Sequence, residues 1–146
     1  MPLTTAQLQT FKAAINAEPA LAAARAAGDH GAIAAYYNVV SASNIWKPAV
    51  TVADLNTAIV WTEFISLAQG ARDAYFAMTQ GSTVDATKAN VRNGFAAIFA
   101  GTSQSNLTAL AQRLATRFEV LFTVAQVCSL FGYVVSVADV AEALGS

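Results

Sequence analysis

Few residues of this 146-residue chain are of types that do chemistry, and most of them stand alone. The one histidine, His30, follows Asp29, a pair that has the look of a general base beside its orienting carboxylate. Sequence neighbours seldom attain that geometry, and Asp29, directly after Gly28, is better placed to cap a helix. With one cysteine and one histidine the chain has no internal disulfide and too few ligands for a structural zinc site. Cys128 lies in the apolar run Val127-Cys128-Ser129-Leu130, where a lone thiol packs as a small hydrophobe. There is no glycine-rich phosphate loop and no G-x-S-x-G elbow. The expectation is a chain that is not an enzyme, with no catalytic, metal or cofactor site.

The cations offer a different chemistry. Arg113 and Arg117 are four residues apart, which on a helix places them one turn apart, able to grip a carboxylate of a neighbouring subunit. Lys88 and Arg92 repeat the spacing. A solvated basic face is the plainer alternative for both pairs. Trp46, beside Lys47, falls outside any periodic helix, so it is either a lid over the core or an interface anchor. Trp46, Lys47, Arg92, Arg113 and Arg117 are the candidate interface residues, and Phe95, Phe99, Leu110, Leu114 and Phe118 the candidate core behind them.

These residues need a scaffold, and composition indicates which kind. Hydrophobic residues make up 55% of the chain and charged ones 12%, against averages of about 45–50% and about 25%. That balance excludes intrinsic disorder. Alanine supplies 33 of the residues, and it joins the best helix propensity to little apolar area, which favours closely packed helices. The length suits one domain spanning 1–146 with a single core. A net charge of -1 leaves no basic footprint for phosphates, so specific nucleic-acid binding is excluded as a role. So few charges on a small domain point to surface hidden against partners.

Start and stop signals divide the chain. Thr4 and Gln7 make a capping box, with Leu3 and Leu8 as a hydrophobic staple, and Leu8, Phe11 and Ile15 form one stripe. Glu18-Pro19 ends that helix; residues 19 to 27 give a short helix closed by Gly28, and about 30 to 38 a third. Val39 to Val50 reads as the longest loop. Thr51 with Asp54, flanked by Val50 and Leu55, opens a helix running through Trp61 and Phe64 to about Gly70. Helix continues over 71 to 79, followed by a turn at Gly81-Ser82-Thr83. Val91, Phe95, Ile98 and Phe99 share one helical face, ended by Gly101. The spacing of Leu107, Leu110, Leu114, Phe118 and Leu121 predicts the longest helix, from about Ser105 to Gln126. Gly132-Tyr133-Val134-Val135 predicts a short extended segment, and Ser136 with Asp139, flanked by Val135 and Val140, opens a last helix. The expected fold is mainly α, a single-domain bundle of about six to seven helices with a short extended segment near the C-terminus.

Residues 120 to 138 carry no charge and approach the roughly 20 apolar residues of a membrane span. Arg113 and Arg117 on one flank and Asp139 and Glu142 on the other suit a positive-inside orientation. Gln126, Ser129, Gly132, Tyr133 and Ser136 interrupt the run, so a buried helix end plus strand is the favoured reading, and membrane association the lesser one. The N-terminus lacks a basic region followed by an apolar one and does not read as a signal peptide.

Four ordered segments resemble a family of small proteins encoded by tailed bacteriophages and prophages. They are Leu21 to Asn38, ending Tyr36-Tyr37-Asn38; Ser43-Asn44-Ile45-Trp46-Lys47 with Val50-Thr51; Ala89-Asn90-Val91-Arg92-Asn93-Gly94-Phe95 leading to Ile98-Phe99-Ala100-Gly101; and Arg113 to Phe122. The resemblance covers most of the chain. Where such proteins continue with a Gly/Thr-rich loop, this chain has the apolar residues Val127 to Phe131. The family brings no catalytic motif to transfer. It implies a virion protein, made in the host bacterial cytoplasm, whose partners are its own copies and virion proteins such as the portal or tail proteins. A head–tail junction adaptor is the expected role, with a tail or capsid-associated component or an assembly chaperone as near alternatives. A single-pass membrane protein using residues 120–138 is the alternative of another class.

Overall fold

The capped helix starts read at Thr4, Asp29, Thr51 and Ser136 appear where local hydrogen bonding demands them. The computed structural model describes residues 3–122 and 130–145. Helix α1 (Thr5–Ala17) opens with the expected box: the Gln7 N–H donates to Thr4 Oγ1 at 3.3 Å and the Thr4 N–H to Gln7 Oε1 at 2.8 Å. Glu18 then turns extended, and Pro19 begins a 3-10 turn, Pro19–Leu21. Arg25 of α2 (Ala22–Ala27) donates to the Ile15 and Glu18 carbonyls at 2.6 and 2.7 Å, closing the C-terminus of α1. Gly28, at φ 64°, ends α2. Asp29 caps α3 (His30–Asn38), its Oδ1 accepting from the Ala32 N–H at 2.9 Å, so the histidine's neighbour is spent on the helix.

The structure is mainly helical, with nine α-helices among the described residues, and it carries strands that the sequence reading did not place. Val39 to Val50 is not a loop: it holds β1 (Val40–Trp46) and the start of β2 (Val50–Thr51). Helices α4 (Val52–Ala58) and α5 (Trp61–Ile65) replace the continuous helix expected up to Gly70, and α6 (Gln69–Met78) forms where helix was expected over 71 to 79. Then come β3 (Thr83–Val84), α7 (Ala89–Ile98) and α8 (Gly101–Ala111). Gly101 opens α8 at φ 63° and does not close α7; the left-handed backbone there is one that only glycine adopts without strain. The long helix expected to Gln126 stops at Ala111, and β4 (Gln112–Thr116) follows. Residues 112–116 have strong helix propensity, but pairing with β1 satisfies their backbone in extended form, so tertiary structure overrides it. A 3-10 turn, Glu119–Leu121, and the last helix, α9 (Val137–Gly145), complete the set.

The chain folds as two units, Met1–Ser43 with Leu114–Ser146, and Asn44–Arg113. In the first, α9 packs on both α1 and α3. Phe11, Ile15, Ile33, Phe118, Val140 and Ala143 are fully buried, and the Phe11 ring meets Tyr37 and Phe118 edge to face at 5.0 and 5.1 Å. The extended segment expected at Gly132-Tyr133-Val134-Val135 is no strand. Asn38 replaces a ladder there: its Nδ2 donates to the Val135 carbonyl at 2.9 Å and its Oδ1 accepts from the Val135 N–H at 2.8 Å. Ser136 and Asp139 then form the expected box, while Tyr133 donates its hydroxyl to Asp139 at 2.9 Å.

In the second unit β2 pairs antiparallel with β3, Val50 facing Val84, and α4 packs on α8 and α6 on α7. The Thr51 cap on the Asp54 N–H and the buried pair Val50 and Leu55 start α4 as expected. The Met78 thioether packs against Gly94, where a Cβ would sit 2.7 Å from its Cε and would have to displace that flexible end. The core gathers Phe64, Tyr75, Phe95, Ile98, Phe99 and Leu107. Cys128 and residues 123–129 of the uncharged run lie outside the described residues. Among the described residues, no helix is long and apolar enough to cross a membrane.

Candidate functional site

The structure brings two of the five candidates together. Trp46, at the end of β1, is half-buried against the core of the second unit, and the Arg92 guanidinium lies 4.7 Å from its ring centroid. Arg92 Nη1 also donates to the Ala86 and Thr87 carbonyls at 2.8 and 2.9 Å. The turn it holds is braced from within, because Asp85 Oδ1 accepts from the Thr87 N–H and hydroxyl. Arg92 thus has contacts of its own within the unit, while Lys88, one helical turn before it, is exposed. Lys47 contributes its backbone: its N–H donates to the Ala111 carbonyl at 2.8 Å and its carbonyl accepts from the Ala86 N–H at 3.0 Å. Trp46 thus packs half-buried on the core of its own unit, beside a backbone held at Lys47.

Arg113 and Arg117 do not share a helix turn. Arg113 is in β4 and Arg117 follows it, and the boundary between the units falls between them. Arg117 stacks 4.1 Å from the Tyr36 ring centroid and borders an open groove of about 350 Å³ in the first unit, with Glu18, Tyr36 and Val120. Burial, and then the hydrogen bond to and charge of Glu18, raise the Tyr36 hydroxyl pKa above its ordinary value. Of the candidate core, Phe95, Phe99 and Phe118 are buried and Leu110 packs on the second unit's core. Leu114 is 45% exposed, because in a strand it alternates with the fully buried Ala115.

Three features went unread in the sequence. Behind Trp46 and Arg92 lies a cavity of about 50 Å³, lined by Val50, Leu55, Val84, Phe95, Gln104 and Leu107 among others. Gln104 Oε1 is buried there without a hydrogen-bond donor. The signal was a glutamine on the helix stripe Gln104, Leu107, Thr108, Ala111. Glu63 is the second. Its carboxylate takes the Ser103 and Thr102 N–H groups at 2.9 and 3.3 Å, capping α8 from α5, and hydrogen bonds from Ser103, then Thr102, hold its pKa below the usual carboxylate range. The third is a surface. Trp61 and Phe76 both pack edge to face on Phe64, yet are 43% and 52% exposed, and Ile65 beside them is 69% exposed. Trp61 and Ile65 are one helical turn apart, the spacing that could have marked this face.

Among the described residues no three His, Cys, Asp or Glu side chains gather in a metal-binding group. No family model, curated protein or solved structure matches the chain.

Proposed function

We propose that this chain is a structural protein of a tailed-phage virion, working as a packed, oligomeric component of the head–tail junction. The whole of 1–146 serves as one working part of that assembly, with its own copies and the portal or tail proteins as neighbours. The resemblance of Ser43–Lys47, Ala89–Gly101 and Arg113–Phe122 to phage-encoded proteins supplies the context. The structural observation that carries the reading is the Trp61–Ile65–Phe76 surface, where two aromatic rings and an isoleucine meet solvent side by side. Contiguous apolar surface of this kind marks an interaction site on a soluble domain, and aromatic residues dominate interface energetics. With only 12% charged residues, the chain has few groups to keep such a face in water.

Quantitative mass spectrometry of purified particles tests the proposal. A copy number equal to that of the portal protein is the expected result. Hundreds of copies would move the chain to the shell or tail tube, and its absence from particles would overturn the virion role.

A further inference from the structure

We propose that the cavity of the second unit is a binding site for a short aliphatic alcohol, its hydroxyl hydrogen-bonded to the side-chain amide of Gln104 and its carbon body filling the apolar pocket behind Trp46. The site is separate from the Trp61–Phe76 face, and the proposal does not depend on the virion role.

The chemistry follows from what the cavity offers and withholds. Its walls are mostly apolar, with Val50, Leu55, Val84, Phe95 and Leu107, and Arg92 and Thr108 stand at the wall beside them. Into this setting α8 sends one amide whose Oε1 is buried and lacks a donor. Among the described residues the Gln104 Nε2 reaches Thr108 Oγ1, at 3.5 Å. Turning the amide over would exchange the orphaned acceptor for an orphaned donor, and a hydroxyl, which both donates and accepts, serves either orientation. An ammonium would lose its hydration against hydrocarbon with no opposite charge to meet, and a carboxylate would have to compete for the one guanidinium at the cavity wall. The nearest cation, Arg92, already donates to the Ala86 and Thr87 carbonyls and stacks on Trp46.

Size narrows the class further. A cavity of about 50 Å³ exceeds the roughly 10–15 Å³ that one water needs by this measure, yet falls well short of the roughly 150 Å³ of a cavity that takes benzene. Water could satisfy Gln104 and Thr108, but it would leave the aliphatic walls facing polar molecules with no further partners. A hydroxyl on a two- to four-carbon body meets both demands. So few heavy atoms limit affinity, and saturation belongs in the millimolar range.

The test uses 1-propanol as probe and the full chain carrying Trp61→Phe, so that Trp46 is the sole indole. A saturable change in Trp46 emission is expected, with matching NMR shifts at the methyl groups of Val91 and Leu107. In a Gln104→Met background, which keeps the volume and removes the amide, the dissociation constant should rise about fivefold, the value of one hydrogen bond. Xenon, which has no hydroxyl, should bind both backgrounds equally and shows that the cavity persists in the variant. A linear, non-saturating response to 1-propanol would overturn the proposal. So would equal affinity in the Gln104→Met background, or ordered water that 1-propanol does not displace.

Discussion

In the first unit, Phe11–Tyr37, Phe11–Phe118 and Phe118–Phe122 pack edge to face at 5.0, 5.1 and 5.0 Å. In the second, Trp61–Phe64, Tyr75–Phe99, Phe64–Tyr75 and Phe95–Phe99 stand at 5.0, 5.5, 5.6 and 6.4 Å, and the cluster borders a cavity and an orphaned amide. Close interdigitation leaves little room for adjustment, whereas a void and an unsatisfied group are places where a fold forgoes stability. The contrast is therefore one of voids and faces: the second unit keeps both the cavity behind Trp46 and the Trp61–Phe76 face.

The comparison would break first at its largest expected effect. Phe118→Ala should cost about 4 kcal/mol in urea unfolding, and Phe95→Ala, whose site already borders a void, about 3 kcal/mol; equal costs would erase the difference in packing. Asn38→Ala should cost about 2 kcal/mol, since it strips both partners from the Val135 backbone. Hydrogen exchange at the Val135 amide should accelerate with it, and an unchanged rate would show that the clamp contributes nothing to the first unit's stability. The opposite sign is expected in the second unit, where Gln104→Met removes a buried unsatisfied atom and should stabilise by about 1 kcal/mol. Both tryptophans, Trp46 and Trp61, belong to that unit, so their emission follows it selectively.

The smallest effects, in pH, sharpen the contrast. Burial pushes the Tyr37 and Tyr133 hydroxyls of the first unit up to about 12, the Asp139 hydrogen bond adding at Tyr133. A raised pKa means stability that is complete below the unfolded tyrosine value and is lost as pH climbs through the folded one. The first unit should therefore loosen between about pH 10 and 12, and Tyr133→Phe should flatten that limb when exchange in α9 is followed. Glu63 works in the other direction. Its lowered pKa gives stability present above the unfolded glutamate value and lost as pH falls through the folded one. Tryptophan emission should report this acid limb, and Glu63→Gln should flatten it.

What could be read from the sequence was local. Capping boxes at Thr4 and Ser136, the Thr51 cap and the break at Glu18-Pro19 lie within a few residues of the groups they satisfy, so residue types alone place them. The β1–β4 pairing joins groups such as Ser41 and Ala115, 74 positions apart, and the leucine spacing from 107 to 121 fits a helix equally well until the partner strand is known. Trp46 and Arg92 were legible as special residues, but their partners were not. Arg92 turned to carbonyls of its own loop, which no charge pattern announces. Gln104 escaped notice because it lies just before the start assigned to its helix, at Ser105.

The first unit is assembled from residues 1–43 and 114–146, with the second, Asn44–Arg113, inserted between them. Order of synthesis then becomes part of the folding problem. The residues of the inserted unit are all available once Arg113 has been made, while α1 and α3 must wait for α9, the helix that packs on both. During that interval the side of Phe11, Ile15 and Ile33 that α9 will cover has no permanent partner, and it is in nascent chains of this kind that chaperone binding and misassembly compete with folding.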